Sequence, residues 1–292
     1  MLVALAAIWG GAFMLIEVGL RDLSPGGLIL VRIGSAAVVL ALVAVALRRT
    51  RETARELREL AVPLAVAGVV TTAVPFYLIA WGQQAIDSGT SAILNASAPI
   101  WTALLAAAVV RSQRVTGLRL VGLVLGFAGV AVLVGGSSAA GHGDVPGSLA
   151  VVAAALLYAA GALYVGKRLA GRPVLVVALG ILIWATVVAL PLGGASLVTA
   201  EVGWESAGAA LALGVVATAV AYLLYFGLIE AAGASRAILV TYLVPATAVV
   251  WGVVLLGEPL TAAKVAGLVL VLAGVALGTG AVRPRRAASL RA

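Results

Sequence analysis

Apolar residues run along this chain in long blocks, broken by short polar segments. An α-helix of about twenty apolar residues crosses a ~30 Å hydrocarbon layer, and ten stretches approach that length. They cover about 2–20, 27–47, 60–82, 90–110, 117–135, 148–167, 173–193, 206–229, 234–256 and 262–281. The pattern predicts an all-α membrane protein of ten transmembrane helices. Between the fifth and sixth stretches lies GSSAAGHGDVPG, whose Gly and Ser content marks a flexible boundary between two halves, 1–140 and 141–292.

The two halves echo each other. GVVTTAVPFYL (Gly68 to Leu78) returns as GVVATAVAYLL (Gly214 to Leu224), 146 residues on, and Pro99 matches Pro245 at the same offset. VTGLRLVGLVLGFAGVAVLV returns as LTAAKVAGLVLVLAGVALGT at an offset of 145. A repeat built of membrane-spanning segments is the signature of a transporter with its site between two halves. In this second pair of segments, Gly122 and Gly126, then Gly274 and Gly278, form GxxxG patterns. They predict close helix packing, with a homodimer contact as the other use.

The polar breaks set the orientation. Sixteen of the 19 Lys and Arg fall on one set of alternate loops and the C-terminal tail, including Arg48 to Arg58, Arg111, Arg114, Arg119, Lys167, Arg168, Arg172, Arg236 and Arg283 to Arg291. Arg21 and Lys264 fall on the other side and Arg32 inside the second span. Positive residues stay in the cytoplasm, so both termini are expected there. Five spans per half is an odd number, so the halves enter the membrane inverted. The basic turn RSQRVT against its counterpart GEPLT, which has one acid and no base, agrees with that inversion. Two inverted five-helix repeats around a central cavity is the expected architecture.

Composition narrows the chemistry. With 63% hydrophobic and 10% charged residues, and a mean hydropathy of +1.19, the chain is built for lipid. It has no Cys and a single His (His142, in the Gly-rich loop), which excludes thiolate and His-cluster metal sites and thiol nucleophiles. No catalytic constellation and no cofactor are expected. The net charge of +8 lies between apolar runs, where topology uses it, so no nucleic-acid partner is expected. The expected partners are a small solute and membrane lipid. The tail RPRRAASLRA reads as a basic anchor at an anionic leaflet.

Polar residues persist in lipid where they face protein or a cavity. Ser91, Asn95 and Thr102 form one helical stripe in the fourth span, with Pro99 on or beside it. Thr241 and Pro245 repeat the device in the ninth. Thr218, Tyr222 and Tyr225 form a stripe in the eighth, and the third offers Thr72, Phe76, Tyr77 and Gln83. Trp9, Trp101, Tyr158 and Tyr164 supply aromatic walls. Together they predict a cavity of rings and hydroxyls with no fixed charge. Each Thr or Ser also has the plainer use of bonding helix to helix. Glu17 and Arg32 sit at similar depth across the first hairpin and are expected to pair, either locking it or serving an outer gate or a substrate carboxylate. No carboxylate or His is expected near mid-depth, every Asp and Glu falling near a membrane face or in a loop, so the expectation is movement of the solute down its own gradient, or a coupling that the sequence does not display.

The opening WGGAFMLIEVGLRDLSPGGLILVRIGSA, with its Trp-Gly-small-x-Phe, Pro and Arg, resembles the start of the EamA family in the drug/metabolite transporter superfamily. GASRAILVTYLVPATAVVWGVVLLGEPLTAAKVAGLVLVLAGV resembles the end of that family's repeat, where Gly-Glu-x-Leu-Thr leads into a Gly-spaced helix. The resemblance covers essentially the whole chain. It implies a bacterial inner-membrane carrier exporting amino acids, hydrophobic or aromatic ones favoured, or related metabolites. Export of amphipathic drugs is the alternative within transport. This chain departs in placing Glu17 where Lys is common, and RSQRVT where the first half would carry Gly-Glu-x-Leu-Thr.

Overall fold

The computed structural model describes residues 1–109, 116–139, 145–233, 237 and 239–279. Arg111, Arg114, His142, Arg236 and the tail from Arg283 to Arg291, on which much of the charge pattern rests, lie outside the described residues. Every described element is helical: α1 Leu2–Gly19, α2 Pro25–Ala46, α3 Thr50–Glu59, α4 Ala61–Gly68, α5 Val74–Gly82, α6 Ser88–Asn95, α7 Ala98–Val109 and α8 Leu118–Ala139. There follow α9 Val145–Arg168, α10 Val174–Thr199, α11 Trp204–Gly214, α12 Ala221–Ala232, α13 Val240–Leu256 and α14 Ala262–Gly278. Two π-helical segments, Val69–Ala73 and Val215–Val220, join α4 to α5 and α11 to α12.

Eight helical runs are long and apolar enough to cross a membrane among the described residues: α1, α2, Ala61–Gly82, Ser88–Ala108, Leu118–Gly135, α9, α10 and Trp204–Ala232. The last two apolar stretches form the shorter helices α13 and α14, of 17 residues each. Helix is the form such runs take, because in lipid every backbone N–H and C=O needs an internal partner. Local chemistry places the starts. Ser24 accepts from the Gly27 N–H at 3.1 Å ahead of Pro25, Asp87 from the Thr90 N–H at 2.7 Å, and Thr261 from the Lys264 N–H at 3.1 Å. Gly233 (φ 83°) and Gly257 (φ 69°) come directly after α12 and α13 in the positive-φ backbone that favours glycine.

Three expectations change. The polar stretch read as a loop between the second and third spans contains α3, an amphipathic helix with an Arg55–Glu59 pair at 2.8 Å on its exposed side. The seventh span runs through Pro191 to Thr199 rather than stopping near 193. There the Gly193 backbone lies directly on Gly26 at the start of α2, and the Ser196 and Ser24 hydroxyls meet at 2.7 Å. Packing carries the helix past the proline. The fourth span, expected as one helix, breaks at Ala96 and Ser97 into α6 and α7. The Ser97 hydroxyl bonds the Leu94 carbonyl at 2.6 Å, and the Ile100 N–H closes a tight turn onto the Ser97 carbonyl, while Pro99 has no N–H to offer.

The sequence echo has a structural counterpart. Both copies of the Gly-Val-Val segment form the π-helical stretch, and each opens on a glycine pressed against a neighbouring backbone. A Cβ on Gly68 would meet the Ile181 carbonyl of α10; one on Gly214 would meet the Arg32 carbonyl of α2. The GxxxG glycines of α8 and α14 face each other, with Gly126 on Gly274 and Gly122 on Gly274 and Gly278. Helices from before and after the Gly-Ser boundary interleave, α1 packing on α13 and α2 on both α10 and α11.

Candidate functional site

A cavity of about 710 Å³ opens in the middle of the helix bundle. From α1 come Trp9, Ala12, Phe13 and Ile16, spaced i, i+3, i+4 and i+7 and therefore on one face. Arg32 enters from α2, Phe76 and Ile79 from α5, and Tyr158 and Ala162 from α9. The broken fourth span contributes Ala92, Asn95, Ala96, Ala98, Pro99 and Thr102. Thr218 of the second π segment, Tyr222 of α12, and Thr241, Val244 and Pro245 of α13 complete the wall. At one end the lining reaches Arg119 and Thr279, both exposed. At the other it stops at Ile16 and Ala92, both buried.

Not every expected ring or hydroxyl faces this space. Trp101 turns away and packs edge-on against Phe127 at 4.8 Å between ring centroids. Tyr225 packs at a tilt against Trp9, 5.4 Å between ring centroids, and is not part of the lining. Tyr164 joins a separate apolar cluster with Leu64, Leu169 and Val176. Thr72 is fully buried, its hydroxyl 3.3 Å from that of Thr71, and Tyr77 is half-buried off the lining. The π segments are the physical reason for part of this, since each adds residues per turn and rotates the next helical turns about the axis. Gln83 also leaves the cavity, donating to the Phe13 carbonyl at 2.9 Å, and Ser91 is buried without facing the space.

The expected Glu17–Arg32 pair does not form. Arg32 donates its Nε–H to the Thr218 hydroxyl at 3.2 Å, and its Cζ lies 3.9 Å from the centroid of the Phe76 ring. Thr218 in turn donates to the Leu213 carbonyl at 2.8 Å, five residues back, as the π geometry allows. Glu17 lies instead against the Glu258 carboxyl and the Ser88 backbone, with its Oε2 buried and without a hydrogen-bond partner. The two residues match in depth but point to different sides of their helices. Glu17 is one residue, and so about 100°, round from the cavity-facing Ile16. Consequently the cavity is not free of charge: Arg32 and Arg119 line it, and no Asp or Glu does among the described residues.

Beyond Ile16 and Ala92 lies a feature the sequence pattern did not reveal. Glu258, from the turn between α13 and α14, accepts from the Ser88 N–H at 2.9 Å, the Gly89 N–H at 3.2 Å and the Ser88 hydroxyl. It thereby caps the positive end of α6 from the other half of the chain. Lys264, only 2% exposed, donates to Glu258 at 3.2 Å and pairs with Asp87 at 3.0 Å. Along the chain, Lys264 looks like a loop-side cation and Asp87 a turn residue; the offset of 177 between them hides the contact. The signals available were the acid of the GEPLT turn, Glu258, and Lys264 six residues on, at the edge of apolar helices.

Residues 1–135 and again 145–279 match the sequence profile of the EamA-like transporter family. The chain belongs to that family. Its relatives include the "Probable terminal-alkyne amino-acid exporter" of Streptantibioticus cattleyicolor, 31% identical over 94% of this chain and 91% of that protein. An "Uncharacterized transporter" of Archaeoglobus fulgidus is 27% identical over 91% and 93% of the two chains. The "Probable amino-acid metabolite efflux pump" of Salmonella typhimurium is 30% identical over 68% and 69%. A solved crystal structure covering 94% of this chain and 95% of its own shares the fold at a TM-score of 0.65, with 18% identity. This EamA-like protein is thus a multi-pass membrane transporter and not an enzyme.

Proposed function

We propose that this EamA-like transporter exports amino acids with hydrophobic or aromatic side chains, or closely related metabolites, across the bacterial inner membrane by alternating access. In this reading ten helices form two inverted five-helix halves, 1–140 and 141–292, with both termini cytoplasmic. One observation carries it: a cavity large enough for a small metabolite, walled by Trp9, Phe76, Tyr158 and Tyr222, reaches the surface at Arg119 and ends at buried side chains opposite. A site open to one face at a time is what alternating access requires. Under the proposed topology the open end is cytoplasmic, the side from which an exporter loads. The interleaving of helices from the two halves around the cavity, and the paired π segments, support the repeat reading.

Export of hydrophobic cations is the second reading. A lining with two Arg and, among the described residues, no acid disfavours a cationic solute. Counterflow in sealed liposomes containing the purified chain decides between them: labelled phenylalanine should exchange, and a hydrophobic cation should neither exchange nor compete. Efficient exchange of the cation alone overturns the amino-acid reading. The same liposomes test the downhill mechanism, in which an imposed pH gradient leaves net accumulation unchanged. Cysteines introduced at Gly257 and Arg111 should label from opposite faces; labelling from one face sinks the inverted arrangement.

A further inference from the structure

Arg32 is a buried cation without a counter-charge among the described residues. It is 7% exposed, and none of the ion pairs among those residues includes it. Burying a guanidinium without a counter-charge is costly in any low-dielectric setting. Its surroundings offset only part of that cost. Phe76 presents a ring face beneath Cζ, and a hydroxyl accepts from Nε–H. Four of the five guanidinium N–H donors belong to the two terminal nitrogens, for which no hydrogen bond forms among the described residues. Those nitrogens are not among the buried polar atoms lacking a partner, and Arg32 lines the cavity. They therefore face the space a solute would enter.

The site is built, not incidental. The Gly214 backbone sits on the Arg32 carbonyl, so the π segment carrying Thr218 is pressed against the arginine's own turn. Thr218 is held through its bond to Leu213, and Phe76 packs against Tyr158 at 6.4 Å between centroids. The guanidinium is thus clamped on one edge and one face, with its opposite edge free. Asn95, at the end of α6 where the fourth span breaks, also lines the cavity, but its Oδ1 is buried away from the open space.

We infer that Arg32 is the carboxylate-binding residue of the transport cavity, and that the cavity takes a solute joining one carboxylate to an apolar or aromatic body. The inference rests on the transporter reading above and narrows its substrate class. The free edge of a guanidinium matches a carboxylate in a two-bond fork. A single buried cation balances a monoanion, and the remaining rings and methyl groups suit an apolar body. Arg119, exposed at the mouth, draws the anionic end inward without fixing it.

Binding to the purified full chain tests this independently of flux, read by quenching of intrinsic tryptophan fluorescence, Trp9 lying in the wall. The probes are phenylalanine, 3-phenylpropionate and phenethylamine, which share a ring and differ in charged groups. Wild-type protein is expected to bind phenylalanine and 3-phenylpropionate, which carry the carboxylate, more tightly than phenethylamine, which lacks it. Arg32→Gln should weaken both carboxylates about 30-fold, equivalent to about 2 kcal/mol, and leave phenethylamine unchanged. Arg32→Lys should recover part of that loss, since the charge returns without the fork. Wild-type binding of phenethylamine as tightly as the carboxylates overturns the inference without needing any variant to fold. So does an Arg32→Gln protein, monodisperse and with an unchanged unfolding midpoint, that keeps carboxylate affinity, and so does a wild-type protein that binds neither carboxylate. Binding that tracks Arg32 with no flux in liposomes would instead sink the carrier reading alone.

Discussion

Lys264→Met isolates the buried charge network that lies beyond the closed end of the cavity. Lys264 is 2% exposed and bridges Glu258 at 3.2 Å and Asp87 at 3.0 Å. Methionine keeps most of the volume and removes the ammonium, leaving Glu258, with a side chain 5% exposed, as an uncompensated buried carboxylate. Breaking a buried pair by deleting one partner costs about 3–5 kcal/mol. The Ser88 and Gly89 N–H groups and the Ser88 hydroxyl continue to hold Glu258, and Asp87 is one-third exposed, so the lower end of that range is expected. Unfolding in mixed micelles measures it directly. Adding Glu258→Gln to Lys264→Met removes the stranded charge, and the double variant should recover about 1–2 kcal/mol relative to the sum of the singles. A Lys264→Met protein within about 1 kcal/mol of wild type, or strict additivity of the two changes, would refute the account of Lys264 as a buried counter-charge.

The packing and the cavity wall set further outcomes. Gly26→Val puts a side chain into the Leu192 carbonyl and the Gly193 backbone, so the protein should lose its monodisperse peak in size-exclusion chromatography; Gly194→Ala, with open space around it, should be neutral or stabilising by up to about 1 kcal/mol. Tyr222→Ala should cut amino-acid flux while leaving the unfolding midpoint close to wild type, whereas Trp101→Ala, off the cavity wall against Phe127, should cost about 3 kcal/mol of stability and spare the transport KM. Thr218→Val removes the acceptor for the Arg32 Nε–H and should raise the KM for carboxylate substrates about 5- to 10-fold in liposomes, with Thr218→Ser restoring it.

Much of the candidate cavity was legible in the chain itself. Trp9, Phe76, Asn95, Pro99, Tyr158, Thr218, Tyr222, Thr241 and Pro245 all line it. A polar or cyclic residue deep in an apolar helix needs a protein or water neighbour, so its presence points inward. Trp101, Tyr164, Tyr225, Thr72 and Tyr77 satisfied the same rule by facing other helices, which is the plainer use of such residues. Nothing in their local pattern separates the two uses. The charged groups were the least legible. Depth along the helix suggested Glu17 beside Arg32, yet a partner is chosen by rotation as well as depth.

Chain chemistry alone determined the solvent, the helical class and the approximate spans, because a backbone in hydrocarbon has no partner except itself. It also marked the two segments that become π-helical, through the Gly-Val-Val echo. The tertiary structure decided the azimuth of each helix, the break between α6 and α7, and the meeting of Asp87, Glu258 and Lys264 across 177 residues. Hydropathy varies along the membrane normal and is blind to rotation about it. Which face of a helix turns to the cavity is settled by glycine contacts such as Gly26 on Gly193 and Gly214 on Arg32, made only when distant helices close against each other.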